Sequence, residues 1–141
     1  KVKKNFELSS YVAHENKSLV LNKNQIDENI KKKSFELVDA RSNERFLGNQ
    51  PEARKDLKSG NIDGSKNLPF TEIINIDDHT FKKEIDLISI FKKKNINPHE
   101  KIAFTCGSGI TACVLGLTNS IISGKKPIIY DGSWAEYGKL K

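Results

Sequence analysis

Apolar residues recur along this chain with two periods that take turns, and the alternation predicts its elements. Residues 18–21 (Ser-Leu-Val-Leu) read as a short strand. Ile26 and Ile30 stand four apart in a polar run, which predicts a helix from Gln25 to about Lys33 with Asn24 as its cap. Residues 35–39 form an apolar run that ends in an acid, a strand closed by Asp39. Phe81, Ile85, Ile88 and Phe91 fall at three- and four-residue steps and predict an amphipathic helix over 81–94, stopped by Asn97-Pro98. A buried strand follows at 101–105, then a mostly apolar helix at 111–123 with Gly124 as its stop. Residues 127–130 are the next strand, and 132–138 a closing turn or short helix. Strands alternating with helices indicate an α/β domain built on a central, mainly parallel sheet flanked by helices.

Two stretches escape either period. Residues 1–17 show no repeat and read as an arm or inter-domain linker, leaving 18–141 as the domain proper. Residues 40–69 are broken by Gly48, Pro51, Gly60, Gly64 and Pro69. A loop that long in a compact domain is a place to look for function.

Composition narrows the classes. A chain of 141 residues with 36% hydrophobic and 30% charged residues suits one modest core. No apolar run approaches the ~20 residues that cross a bilayer, so no membrane partner is expected. Two cysteines make no disulfide framework, which points to a reducing, cytoplasmic setting. The absence of methionine suggests a piece of a longer protein. The net charge of +6 comes from 21 lysines and only three arginines. The lysine runs sit at the ends of amphipathic segments and no aromatic motif interleaves with them, so they read as a solvated face and no nucleic-acid partner is expected.

Chemistry concentrates at Cys106. It stands between a buried strand and a helix, where ligands collect in open α/β sheets. The Gly107-Ser108-Gly109 turn lets successive backbone N–H groups point inward, and with the helix start this favours an anion, here a thiolate. Cys106 is therefore expected to be a nucleophile. Cys113, seven residues on within the apolar helix, is expected to be core packing. His14, His79 and His99 lie in arm or loop segments and read as surface residues, which removes a Cys-His hydrolase. The Cys-x5-Arg pattern of cysteine phosphatases fails because Ala112 holds the arginine position. The cysteine spacing forms no metal ligand set, and no metal or other cofactor is expected.

The three arginines, Arg41, Arg45 and Arg54, all fall in the irregular segment. Arg41 is expected to pair with Asp39 or Glu44 and hold the loop. Arg45 and Arg54 are expected to bind an anionic substrate, because a guanidinium presents a planar fork that matches a carboxylate.

These segments together carry a resemblance. Val38-Asp39-Ala40-Arg41, Arg45-Phe46-Leu47-Gly48, Pro51-Glu52-Ala53-Arg54 and the run from Gly60 to Phe70 are similar to the rhodanese family. With the Cys106–Ala112 loop and Tyr130-Asp131-Gly132-Ser133-Trp134, the chain resembles the C-terminal catalytic domain of 3-mercaptopyruvate sulfurtransferases, from about Val20 to Gly138. The resemblance implies a rhodanese fold and sulfur transfer through a persulfide on Cys106 to a thiol or cyanide. It implies that Arg45 and Arg54 hold the donor carboxylate and that Ser108 assists proton transfer. The N–H groups of Gly107, Ser108, Gly109, Ile110 and Thr111 cradle the persulfide in this picture. Neutral Gly107 and Ser108 after the cysteine favour 3-mercaptopyruvate over the dianion thiosulfate. The resemblance further implies a thioredoxin-like thiol acceptor and an N-terminal rhodanese-like domain outside this chain. The rival reading is a sulfur-carrier or regulatory docking module of the same fold.

Overall fold

Residues 10–140 are described by a computed structural model, so the first nine residues of the expected arm lie outside the description. Five strands, β1 (Val20–Leu21), β2 (Glu36–Asp39), β3 (Lys66–Asn67), β4 (Ile102–Thr105) and β5 (Ile128–Tyr130), pair in the order β1-β5-β4-β2-β3. Every pairing is parallel. Parallel strands need crossovers, and the helices that supply them cover both faces of the sheet.

Side-chain alternation explains the two-sided core. Along the central strands, Val38, Ile102 and Phe104 point to one face, where Leu87 and Phe91 of α3 (Glu84–Lys93) and Ala112 and Leu115 of α4 (Ile110–Ser123) meet them. Leu37, Ala103 and Tyr130 point to the other, against Ile26 of α1 (Lys23–Lys32) and Trp134 of α5 (Ser133–Tyr137). Because all strands run the same way, their carboxyl ends share one edge. Asp39 and Thr105 lie directly opposite each other there.

Several expected boundaries move, each for a local reason. The strand expected at 18–21 begins as a 3-10 turn, Lys17–Leu19, because the Asn16 side chain accepts the Ser18 N–H at 3.2 Å. The first helix is capped by Asn22 rather than Asn24. Asn22 accepts the Gln25 N–H at 3.1 Å and Gln25 Oε1 accepts the Asn22 N–H at 2.9 Å, a reciprocal pair that Asn24 cannot form from inside the helix. The helix expected from 81 starts only at Glu84, since Phe81 bridges to Ile74 and Lys82 N–H bonds to Ile73 O. Its buried stripe is consequently Leu87 and Phe91, while Ile85 is 71% exposed. The irregular segment holds the short helix α2 (Asn43–Leu47), capped by Ser42, as well as β3.

Helix α4 reaches the sheet through a missing side chain. A Cβ on Gly116 falls 2.8 Å from Pro127 Cβ and 3.0 Å from Ile129 Cδ1. Its opposite face turns Ile110, Cys113, Leu117 and Ile121 outward, and Cys113 is exposed, not core. The sequence period misplaced Cys113 because α4 is apolar on both faces. No helix among the described residues is long and apolar enough to cross a membrane. Gly116→Ala gains about 1 kcal/mol of helix propensity but meets the Pro127 ring. We expect a net loss of about 1 kcal/mol in urea unfolding, since overpacking costs about 1–3 kcal/mol. A gain in stability shows instead that Pro127 gives way.

Candidate active site

The site begins where β4 ends. Cys106 is 2% exposed, and its peptide is held from both sides by the start of α5. Its N–H donates to Ser133 Oγ at 3.1 Å, and its carbonyl accepts the Trp134 N–H at 2.9 Å. The Ala135 N–H donates to Gly107 O at 2.8 Å. Ser133 Oγ in turn donates to Tyr130 O at 2.8 Å. Ser133 is fully buried at φ 49°, a left-handed conformation for a non-glycine residue at the mouth of a site. Sequence reasoning passed over Ser133. The available signal was its place just past β5, the strand beside β4.

The loop glycines have specific reasons. Gly109 has φ +86°, and a Cβ there sits 2.9 Å from Asp131 Oδ1 and 3.0 Å from Asp131 O. A Cβ on Gly107 sits 3.1 Å from Arg45 Nη2. The guanidinium of Arg45 therefore lies directly against the cysteine loop.

A cavity of about 330 Å³ gathers the expected residues: Arg45, Arg54, Cys106, Gly107, Ser108, Ile110 and Thr111 all line it, with Glu52. Gly109 is buried behind it and shapes the turn. A larger cleft of about 510 Å³ lies at the opposite end of the sheet beside Glu36 and Lys101, and it contains no cysteine or histidine. His14, His79 and His99 are exposed, as expected. Among the described residues no group of His, Cys, Asp and Glu is arranged to hold a metal ion.

The arginines are organised by acids. Arg41 is buried, donating from Nε and Nη2 to Asp39 Oδ2 at 2.9 and 2.7 Å, which meets the expected pairing with Asp39 rather than Glu44. Its Nη1 donates to Glu52 Oε1 at 2.7 Å, Nη2 to Gly60 O at 2.8 Å, and its guanidinium lies 4.5 Å from the Trp134 ring centroid. Glu52 Oε2 accepts from Arg45 Nη2 at 2.5 Å. A line of alternating charge thus runs from Asp39 through Arg41 and Glu52 to Arg45. Glu52 was not singled out from sequence, although an acid among three arginines in one loop was the clue. Arg54 pairs with Asp56 at the surface, Nη2 to Oδ2 at 2.8 Å. That guanidinium holds the Asp56 carboxyl below its ordinary range.

Cys113 lies outside this machinery. Its thiol donates to Gly109 O at 3.3 Å, and desolvation, then the nearby Cys106 and Asp131, push it up from the ordinary thiol range. A shift in that direction disfavours the thiolate, the nucleophilic form.

Burial separates the two arginine pairs energetically. Arg41→Gln leaves Asp39 and Glu52 short of a cation in the interior and is expected to cost about 3–5 kcal/mol in chemical unfolding. Arg54→Gln breaks a pair 56% and 47% exposed and is expected to cost less than about 1 kcal/mol. Equal losses in the two variants contradict this assignment.

Comparison with known proteins agrees with this architecture. The rhodanese-like domain family matches residues 22–140. The chain is 37% identical to 3-mercaptopyruvate sulfurtransferase of Mus musculus over 138 residues, covering 96% of this chain and 45% of the relative. It is 40% identical to thiosulfate/3-mercaptopyruvate sulfurtransferase 2 of Arabidopsis thaliana over 119 residues, 84% of this chain and 34% of the relative. Thiosulfate sulfurtransferase of Rattus norvegicus matches at 37% over 123 residues, 86% of this chain and 41% of the relative. Among solved structures, SseA from Escherichia coli superposes with a TM-score of 0.73 at 28% identity, covering 89% of this chain and 45% of SseA. Tum1 from Saccharomyces cerevisiae gives 0.76 at 25% identity, over 85% of this chain and 43% of Tum1. The chain spans less than half the length of each of these proteins. A parallel five-stranded sheet covered on both faces, a cysteine loop at its carboxyl edge and a family match over nearly the whole domain place this chain in the rhodanese family.

Proposed function

We propose that this chain is the catalytic domain of a sulfurtransferase that carries a sulfane sulfur on Cys106. The observation that carries the reading is the single cavity in which Cys106, Ser108, Arg45 and Arg54 meet. The names of the relatives support the reaction class.

In the proposed reaction, the Cys106 thiolate attacks the sulfur of 3-mercaptopyruvate. An S–S bond forms and the donor C–S bond breaks, its electron pair leaving on carbon as the enolate of pyruvate. That carbanion takes up a proton, which Ser108 at the cavity wall helps deliver. A thiolate acceptor then attacks the outer sulfur of the persulfide, forms its own persulfide and releases the Cys106 thiolate. Cyanide accepts the same sulfur as thiocyanate. Atoms and charge balance without an external oxidant. The N–H groups of the Gly107–Thr111 loop and the start of α4 favour the anionic sulfur.

The charge of the cavity favours 3-mercaptopyruvate over thiosulfate. Arg45 and Arg54 are each paired, with Glu52 and Asp56, so the net positive charge available to a ligand is small. Gly107 and Ser108 add none. A monoanion suits such a pocket better than a dianion. The proposed acceptor is a thioredoxin-like thiol protein in a reducing, cytoplasmic compartment. A second rhodanese-like domain, N-terminal to this one, is proposed from the greater length of the relatives.

Brief incubation with 3-mercaptopyruvate, followed by intact-protein mass spectrometry, is expected to add one sulfur atom that dithiothreitol removes. Cys106→Ser is expected to abolish the gain and Cys113→Ala to leave it intact. Sulfur loading that survives Cys106→Ser refutes the proposal. Arg45→Lys is expected to raise the half-saturating donor concentration roughly tenfold, because an ammonium cannot replace the planar fork. An unchanged value assigns Arg45 to structure alone.

A further inference from the structure

Arg45 faces the cysteine loop with only part of its guanidinium free. Its Nε lies 3.3 and 3.2 Å from the two oxygens of Glu52, and its Nη2 donates to Glu52 Oε2 at 2.5 Å. The Nε edge is therefore occupied, and the Nη1–Nη2 edge is the one turned to Gly107. Glu52 itself cannot move with a ligand. Its side chain is 2% exposed, and its other oxygen is fixed by Arg41, which Asp39 and Gly60 O hold in turn. Arg45 and Glu52 both border the cavity, and Arg45, at 34% exposure, is the one open to a ligand.

Glu52 compensates the buried Arg41, but its charge gives an anionic ligand no advantage. A carboxylate beside the cavity subtracts from the attraction of Arg45 for an anionic donor. Its contribution must then be geometric: it selects which edge of the guanidinium meets the ligand and prevents a flexible side chain from folding back to solvent. Such pre-ordering leaves the Arg45 side chain less entropy to lose when a ligand binds. We propose that Glu52 is a positioning residue for capture of anionic reagents at Cys106, acting through Arg45 and anchored by Arg41. The proposal rests on the reading of Cys106 as the sulfur-carrying nucleophile, and it deepens that reading by naming how the donor's charge is received.

The two accounts of Glu52 differ in sign, which makes the test decisive. Rates of Cys106 alkylation by iodoacetate, an anion, and iodoacetamide, its neutral analogue, are measured by peptide mass in a Cys113→Ala background. Their ratio reads the placement of Arg45 whether or not the cysteine carries sulfur. Glu52→Gln is expected to lower this ratio and to raise the half-saturating 3-mercaptopyruvate concentration, each roughly tenfold, with kcat changed far less. In an Arg45→Gln background, Glu52→Gln is expected to lower neither value further. Glu52→Asp keeps the charge but is one methylene too short to hold both arginines, so it is expected to lower the ratio as well. It serves equally if the Gln variant does not fold. A ratio that rises in Glu52→Gln, or a fall that persists without Arg45, overturns the proposal. Failure of the parent protein to take up sulfur, with the alkylation pattern intact, overturns the sulfurtransferase reading and leaves the positioning role standing.

Discussion

The guanidinium of Arg41 is the point on which the carboxyl edge of the sheet depends. It is buried, and it binds the acid that ends β2, an acid from the loop after α2, the carbonyl of Gly60 and the ring of Trp134. Those four groups belong to separate stretches of chain that have no regular structure in common. A buried ion pair is weak evidence of net stability, since desolvation offsets much of the attraction. What the arrangement supplies is a fixed address. The irregular segment between α2 and β3 acquires a definite path because its polar groups have one place to be satisfied.

Helix α5 is the second half of the same construction. It is only five residues long, yet its first three residues contact the peptides of Cys106 and Gly107. The loop is therefore held from β4 by the chain itself, from β5 through Ser133 and Tyr130, and from β2 through Arg41 and Trp134. Three neighbouring strands converge on one peptide unit. That is how a side chain on a loop is kept as precisely placed as one on a regular element.

Much of this was legible in the order of residues. Alternating strands and helices fixed the class, because parallel strands require covered faces and long crossovers. Cys106 was legible because a strand end, two glycines and a helix start coincide around it. That Arg41 pairs with a neighbouring acid was legible, but the choice of Asp39 over Glu44 needed the fold. The phase of α3 was not legible: Phe81 bears the right spacing for the helix but is taken by Ile74, a partner that only the tertiary fold brings near. Cys113 failed for a related reason. Apolar residues run around the whole of α4, so periodicity could not tell the sheet-facing side from the outward one. Glu52 and Ser133 escaped because their importance lies in contacts across long stretches of sequence, Glu52 to Arg41 and Ser133 to Cys106.

The chain has one tryptophan, and its position gives it a use beyond packing. The Trp134 indole N–H donates to Lys58 O, its backbone N–H to Cys106 O, and its ring lies within reach of both Arg41 and Lys58. Its excited state therefore samples the field of the ionic line and the attachment of the cysteine loop together. The protein has a built-in optical reporter, with no second indole to dilute the signal, whose emission responds to the integrity of the site as well as to the core it packs in.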